Sequence, residues 1–307
     1  MATILITGGT GLVGTALSAS LISQKHRVIV LTRSRRGSAN GIEYAQWDID
    51  KNEIDANAIQ DSDVLIHLAG AGVADARWTR ARKKEIRDSR VKSAQFLVSA
   101  LKKFPNAIHT VISASAIGWY GNDHRKSPVP FSENDQPAAG FLGETCRLWE
   151  ESIQPVRELG KRLVIFRTGI VLSRKGGAFP QFKKPLHFGM ATILGSGKQI
   201  ISWIHMNDLC RLYCQAVENR ELAGVYNAVA PEPCSNKRFM LELAKLEKGK
   251  NFLAIHVPSF VLRLILGEMS IEILKSTTVS SRKINQTGFQ FQFPTLQAAL
   301  NALSGEP

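Results

Sequence analysis

The sequence predicts an α/β protein: a Rossmann-like, doubly wound parallel sheet with a smaller C-terminal substrate region. Three observations predict it. The chain opens on a short apolar strand, Thr3-Ile4-Leu5-Ile6-Thr7, that runs into a glycine-rich turn and then a helix. A second apolar strand, Arg27-Val28-Ile29-Val30-Leu31-Thr32, follows that helix. Strand-length apolar runs then keep alternating with helix-length stretches as far as Arg167, the pattern of parallel strands joined by crossover helices.

The turn is Thr7-Gly8-Gly9-Thr10-Gly11-Leu12-Val13-Gly14, with glycines three apart at Gly8, Gly11 and Gly14. Gly8 permits a tight turn off the strand, Gly11 lets backbone approach a pyrophosphate, and Gly14 lets the helix pack closely on the strand. The helix from Val13 to Gln24 aims its free N–H groups and the positive end of its dipole at the phosphates. Thr7 to Gly14 are therefore candidate cofactor contacts.

The second strand ends on Thr32, then Arg33 and Ser34, followed by two more arginines. A site for NAD usually carries Asp or Glu here, to hold the ribose 2′-hydroxyl. A carboxylate would repel a 2′-phosphate, whereas a guanidinium grips one with paired hydrogen bonds. Thr32, Arg33 and Ser34 thus point to NADP(H). The bland alternative is a basic surface loop.

Tyr44-Ala45-Gln46-Trp47 reads as a third strand closing at Asp48-Ile49, where Asp48 either accepts from an adenine amino group or caps a turn. Val64-Leu65-Ile66-His67-Leu68 is a strand buried on both faces, with His67 a packed residue. Small residues follow it, so Leu68, Ala69, Gly70 and Ala71 are expected to lie along the cofactor. A helix spans Thr79 to Lys103, its charges set between Ile86, Val91, Leu97, Val98 and Leu101. The strand Thr110-Val111-Ile112-Ser113-Ala114-Ser115 brings two hydroxyls to its end, with Ser113 assigned to the cofactor and Ser115 to a substrate. Gly118-Trp119-Tyr120-Gly121 is a turn, residues 122–140 a polar loop, Phe141 to Leu159 a helix, and Leu163-Val164-Ile165-Phe166-Arg167 a buried strand.

Beyond Thr168 the alternation weakens. This sets a dinucleotide-binding domain at 1–167, to which later segments return, and a substrate-binding region with a C-terminal module at 168–307. Gly176-Gly177 and Gly195-Ser196-Gly197 are glycine loops among Arg174, Lys175, Lys183, Lys184 and Lys198, suited to a phosphate-bearing substrate or simply basic and mobile. Trp203-Ile204-His205 leads into a helix near Asn207 to Val217, capped by Asn207 or Asp208. Val225 to Val229 is a strand, Asn236 to Lys248 a helix, and 258–276 an apolar helical stretch. Phe289, Phe291 and Phe293 alternate as in a strand or an extended packing arm.

The net charge of +13 invites a nucleic-acid reading. The basic residues are widely spread, however, and the densest run, Arg77 to Lys92, reads as a solvated helix face. No specific nucleic-acid partner is expected; an anionic cofactor and an anionic small-molecule substrate account for the charge equally well. No apolar run reaches membrane-spanning length and no signal-peptide layout opens the chain, so a cytoplasmic protein without a membrane partner is expected, as a monomer or homodimer. Cys146, Cys210, Cys214 and Cys234 form no C-x-x-C pair and complete no metal set, so reduced, buried thiols are expected.

Several stretches also resemble a known family. Thr7 to Gly14, His67-Leu68-Ala69-Gly70, Ser113-Ala114-Ser115 and Trp119-Tyr120-Gly121 resemble the extended and atypical short-chain dehydrogenase/reductases, which include the nucleotide-sugar epimerases. The closer resemblance is to the epimerase-like subfamily often labelled "cell division inhibitor" or nucleoside-diphosphate-sugar epimerase. It rests on Arg77-Trp78-Thr79, Ser89-Arg90-Val91, Cys146-Arg147-Leu148-Trp149-Glu150 and Arg167-Thr168-Gly169-Ile170-Val171-Leu172. Ser202-Trp203-Ile204-His205, Tyr226-Asn227-Ala228 and Gly288-Phe289-Gln290-Phe291 complete it. The resemblance covers nearly the whole chain. It implies NADP(H) binding and a smaller substrate region built from the second half; it does not itself name a substrate, and a nucleotide sugar or another carbonyl or hydroxyl compound is expected.

One departure bears on chemistry. Short-chain reductases use a Tyr-x-x-x-Lys pair in which the lysine lowers the tyrosine pKa and the tyrosine shuttles the proton. Counting back from Trp149-Glu150, Leu142 falls in the tyrosine slot and Cys146 in the lysine slot. The expected reaction is then hydride transfer with another proton donor: Tyr120, Glu144 or His205, with Ser115 orienting the substrate. The alternative is an NADP(H)-binding redox sensor or regulatory protein without turnover.

Overall fold

The computed structural model describes residues 1–33, 37–123 and 129–304. Ser34, with Arg35 and Arg36, lies outside the described residues. Among the described residues seven parallel strands form the central sheet: β1 (Thr3–Thr7), β2 (Arg27–Thr32), β3 (Ile42–Asp48), β4 (Val64–His67), β5 (Thr110–Ala116), β6 (Arg162–Thr168) and β7 (Gly224–Ala228). Their spatial order is β7-β6-β5-β4-β1-β2-β3. Short antiparallel strands, Gly37–Ala39 and Glu53–Ile54, pair with β3 at the edge. Thr7 at the end of β1 is in register with Leu31 on one side and His67 on the other. The strand order therefore reverses around β1, and in such sheets the reversal opens a crevice at the carboxyl ends of the strands.

Strand alternation sorts the apolar residues into two cores. Ile4, Ile6, Val28, Val30, Ile112 and Phe166 face one way. They meet the helices α1 (Leu12–Ser23) and Met206–Glu218. Leu5, Ile29, Leu31, Leu65, Val111 and Ile165 face the other way. They meet Leu97 and Leu101 of the helix α2 (Arg80–Lys103) and Ile153 of the helix α3 (Phe141–Ile153). Both faces are covered, which is why the strands read as unbroken apolar runs. The segment 206–228 thus contributes a helix and the edge strand β7 to the central sheet and the core on one of its faces. A separate core, built on Phe179, Trp203, Phe239, Leu243, Leu296 and Leu300, holds the second half together.

Two local expectations change, and one open alternative is narrowed. The helix after Trp203 starts at Met206 and is capped by His205, whose Nδ1 accepts from the Asn207 N–H at 3.2 Å, not by Asn207 or Asp208. Asp208 is fully buried, and its carboxylate accepts the N–H groups of Gln292 (2.7 Å) and Phe293 (2.9 Å). Those two bonds make the Phe289–Phe293 stretch an extended arm clamped to the helix, without strand pairing. The apolar stretch 258–276 is two helices, Ser259–Leu266 and Met269–Leu274, separated at Gly267, whose φ of +59° a helix cannot use. All four cysteines are buried and unpaired. Among the described residues no helix is long and apolar enough to cross a membrane.

Candidate dinucleotide site and the polar network beside it

Glycine is required in the first turn for three separate reasons. Gly8 has φ +69°, and a Cβ there would stand 2.8 Å from the Leu68 carbonyl carbon, so the β1 turn presses onto the segment leaving β4. A Cβ on Gly9 would meet Val30 at 2.6 Å, and one on Gly14 would collide with the Gly8 carbonyl oxygen. Gly14 therefore packs the helix on the turn itself. Gly11 is different: a Cβ there would meet only the Gly8 oxygen, at 3.3 Å, and otherwise open space. Thr10 and Gly11 are exposed. The first helical bond runs from Thr15 N–H to Gly11 O, leaving the N–H groups of Leu12, Val13 and Gly14 ahead of the ladder. Gly11 offers no side-chain cap, and the first turn holds no acid to oppose the dipole. These features fit a pyrophosphate. Leu12 lies beside Gly176 and Gly177, which brings that second-half loop to the same helix end.

Thr7 has a structural task. It is fully buried, with its Oγ1 2.7 Å from His67 Nδ1, and it accepts the Ala69 N–H at 3.3 Å, tying β1 to β4. Burial, with the Arg90 charge added, pushes His67 down to about 3, so it stays neutral. Thr32 closes β2 and Arg33 projects, exposed, from its carboxyl end. Asp48 accepts the N–H groups of Asp50 (3.0 Å) and Lys51 (3.2 Å), which is the turn-capping role. Ser113 is buried, its hydroxyl donating to the Ala114 carbonyl at 3.1 Å.

Leu68, Ala69 and Ala71 are half-buried and Gly70 is exposed at the mouth of the crevice. Helix α2 fixes this segment. Ser89 Oγ accepts the Ala71 N–H at 3.0 Å, and Arg90 Nη1 donates to the Ala71 carbonyl at 2.9 Å. The Ser89-Arg90 motif is thus the clamp on the loop that leaves β4.

Beyond β5 the remaining motifs converge. Arg167 and Glu150 form a buried, two-pronged ion pair, Nε–Oε1 2.8 Å and Nη2–Oε2 3.0 Å. Ser115 donates to Glu150 Oε1 at 2.7 Å. Arg167 Nη1 donates to the Tyr120 hydroxyl at 3.1 Å, and that hydroxyl donates to Asn227 Oδ1 at 2.6 Å. The guanidinium also lies 3.5 Å from the centre of the Trp119 ring. Burial opposes the Arg167 charge, but Glu150 outweighs it and the pKa rises. The Asn227 N–H is received by Glu133 at 2.8 Å, and its side chain donates to the Ser280 carbonyl at 3.2 Å. The sequence contained the signal, a charged residue closing an apolar strand at Arg167, but not its partners.

The residues expected to take part in catalysis lie in or near this network. Tyr120 is fully buried, burial raises its pKa to about 12, and its hydroxyl is engaged on both sides within the fold. Ser115 is buried, with its hydroxyl donating to Glu150. His205 caps its helix, lies tilted against the Phe293 ring with the ring centres 3.9 Å apart, and is lowered to about 4 by burial. Glu144 is exposed and held ionised by Arg147, 2.6 Å away. Leu142 and Cys146 both pack against Gly118, and burial raises the Cys146 thiol to about 12.

The second half straps onto this region. Lys275 Nζ donates to the Tyr120 carbonyl at 3.0 Å, and Asp123 receives the Thr278 N–H at 2.8 Å. Lys83 pairs with Glu268 at 2.6 Å.

Comparison with known proteins agrees with this architecture. Residues 4–228 match the model of the NAD dependent epimerase/dehydratase family, and 257–303 match a domain of unknown function, DUF1731. The chain is 34% identical over 307 residues to "Epimerase family protein Mb2239" of Mycobacterium bovis, covering 100% of this chain and 99% of that one. Among solved structures it is similar to human epimerase family protein SDR39U1 with NADPH (TM-score 0.86, 28% identity, 99% of this chain and 100% of that one). It is also similar to a nucleoside-diphosphate sugar epimerase from Corynebacterium glutamicum (TM-score 0.78, 31% identity, 99% of this chain and 58% of that one).

Proposed function

This chain belongs to the NAD dependent epimerase/dehydratase family, and on that premise we propose that it is an NADP(H)-binding oxidoreductase acting on a carbonyl or hydroxyl substrate. The observation that carries the cofactor choice is Arg33, a cation at the end of β2 where an NAD site holds an acid. The human relative crystallised with NADPH supports the same choice. The N–H groups of Leu12 and Val13 would hold the pyrophosphate, Arg33 the 2′-phosphate, and Leu68 to Ala71 the side of the dinucleotide. When bound, the nicotinamide supplies or accepts a hydride. The substrate is a small molecule, with a nucleotide sugar favoured by the name of the Corynebacterium relative and by the cationic loop at Arg174-Lys175. Turnover proceeds without the Tyr-x-x-x-Lys pair, since Leu142 and Cys146 occupy its slots. We place the protein in the cytoplasm as a monomer or homodimer, without a specific nucleic-acid partner. Sedimentation and a salt titration of nucleic-acid affinity test those two points.

Nicotinamide fluorescence during titration with NADPH and NADH tests the central reading. Tight NADPH with weak NADH is expected; binding of neither overturns it.

A second reading, a redox sensor without turnover, is favoured by the engagement of Tyr120 and Ser115 inside the network. Steady NADPH oxidation with any carbonyl or sugar-nucleotide substrate would exclude it.

A further inference from the structure

We propose that Arg90 is a redox-selecting contact: its guanidinium stands at the nicotinamide end of the dinucleotide site and favours NADPH over NADP+. The proposal rests on the dinucleotide reading above and deepens it.

The position follows from the sheet. Arg33 marks the adenosine side over β2, and the pyrophosphate turn sits at β1. A dinucleotide crossing the reversal must place its other end over β4 and β5. The segments leaving those strands are Gly70–Ala71 and Ala116–Gly118. Arg90 reaches this place from helix α2. Its Cζ lies 3.0 Å from where a Gly70 Cβ would be, and Nη1 is bonded to the Ala71 carbonyl at 2.9 Å and the Ile86 carbonyl at 2.8 Å. The guanidinium lies 5.0 Å from the centre of the Trp149 ring. Cys146, the residue in the lysine slot, lies one turn before Trp149 on helix α3. A cation from the neighbouring helix thus stands beside the slot where the family's lysine would supply one.

Two features separate this arginine from a purely structural clamp. Its Nε and Nη2 find no hydrogen-bond partner among the described residues. No carboxylate among the described residues pairs with it either, so its charge is not neutralised locally. The nicotinamide ring is cationic when oxidised and neutral when reduced. A fixed, half-buried cation close by raises the free energy of the oxidised form alone, because in a low-dielectric crevice like charges repel far more than in water.

The test is the ratio of two dissociation constants, NADP+ over NADPH, measured by calorimetry on the cofactor-free protein. The unaltered protein is expected to favour NADPH by about tenfold or more, which for a two-electron couple moves the bound potential by about 30 mV. Arg90→Gln should bring the ratio close to one, and Arg90→Lys should retain most of it. Arg90→Met, which keeps an apolar stem against Trp149, is the second neutral variant should Gln disturb the loop. A clamp that only shapes the loop would weaken both forms equally and leave the ratio unmoved. An unmoved ratio, or equal affinities in the unaltered protein, overturns the proposal while leaving the dinucleotide reading intact. If neither form binds, both readings fall.

Discussion

Arg167 on β6 and Glu150 on α3 hold one another through two parallel hydrogen bonds, 2.8 and 3.0 Å, with both side chains almost wholly removed from solvent. Removing one partner of such a pair leaves the other charge buried alone. Glu150→Ala should therefore cost about 3–5 kcal/mol, read by urea unfolding. The double variant Glu150→Leu/Arg167→Met should cost clearly less than the two single changes added together. A loss below about 1 kcal/mol for Glu150→Ala would show that water or a rearranged neighbour compensates.

Tyr120 tests whether its hydroxyl serves the fold or a substrate. In Tyr120→Phe, Asn227 Oδ1 loses its donor and Arg167 Nη1 an acceptor. Stability should fall by about 1–3 kcal/mol while NADPH affinity stays within about twofold. An unchanged melting temperature with a lost reaction would mark Tyr120 as a proton donor.

Arg33→Asp should weaken NADPH by about tenfold or more, the scale of a lost charge-assisted contact, and leave NADH nearly unaffected. Fluorescence titration reads both. Equal losses for the two cofactors would remove Arg33 from the 2′-phosphate site.

The glycines of the first turn should separate by role. Gly14→Ala drives a methyl into the Gly8 carbonyl and should destabilise the protein by about 1–3 kcal/mol or more. Gly11→Ala meets only one atom at 3.3 Å, so the fold should survive and the loss should fall on dinucleotide affinity. The reverse ranking in thermal unfolding would contradict the packing described here.

Two histidines set an acid limit. Burial lowers His67 to about 3 and His205 to about 4, against about 6.5 in the unfolded chain. Below pH 6.5 the unfolded state binds the extra protons, so stability rises with pH across the window between about 4 and 6.5. Each histidine contributes a slope of up to about 1.4 kcal/mol per pH unit there. Unfolding free energies measured from pH 7 down to 4.5 should fall accordingly, and His67→Gln should flatten the slope. A flat profile in the unaltered protein would mean that both imidazoles are reachable by protons in the native state.

What could be read along the chain was whatever depends on near neighbours. The turn from Thr7 to Gly14 carries its strand, its glycines and its helix start within a dozen residues. The parallel sheet was legible because a strand buried on both faces must be apolar throughout. Other features needed contacts between distant residues. Gly9 is dictated by Val30 on the next strand. The Phe289–Phe293 arm is dictated by Asp208, and His205 is a cap because its ring turns back on Asn207. Ser115, Tyr120, Glu150, Arg167 and Asn227 fall in five separate motifs along the chain. Residue type and spacing by themselves determined the fold class and the dinucleotide turn, because backbone geometry and local burial are properties of short segments. Only the tertiary structure decided that those five polar groups satisfy one another, because a buried hydroxyl or charge takes its role from whichever partner the packed fold brings within hydrogen-bond reach.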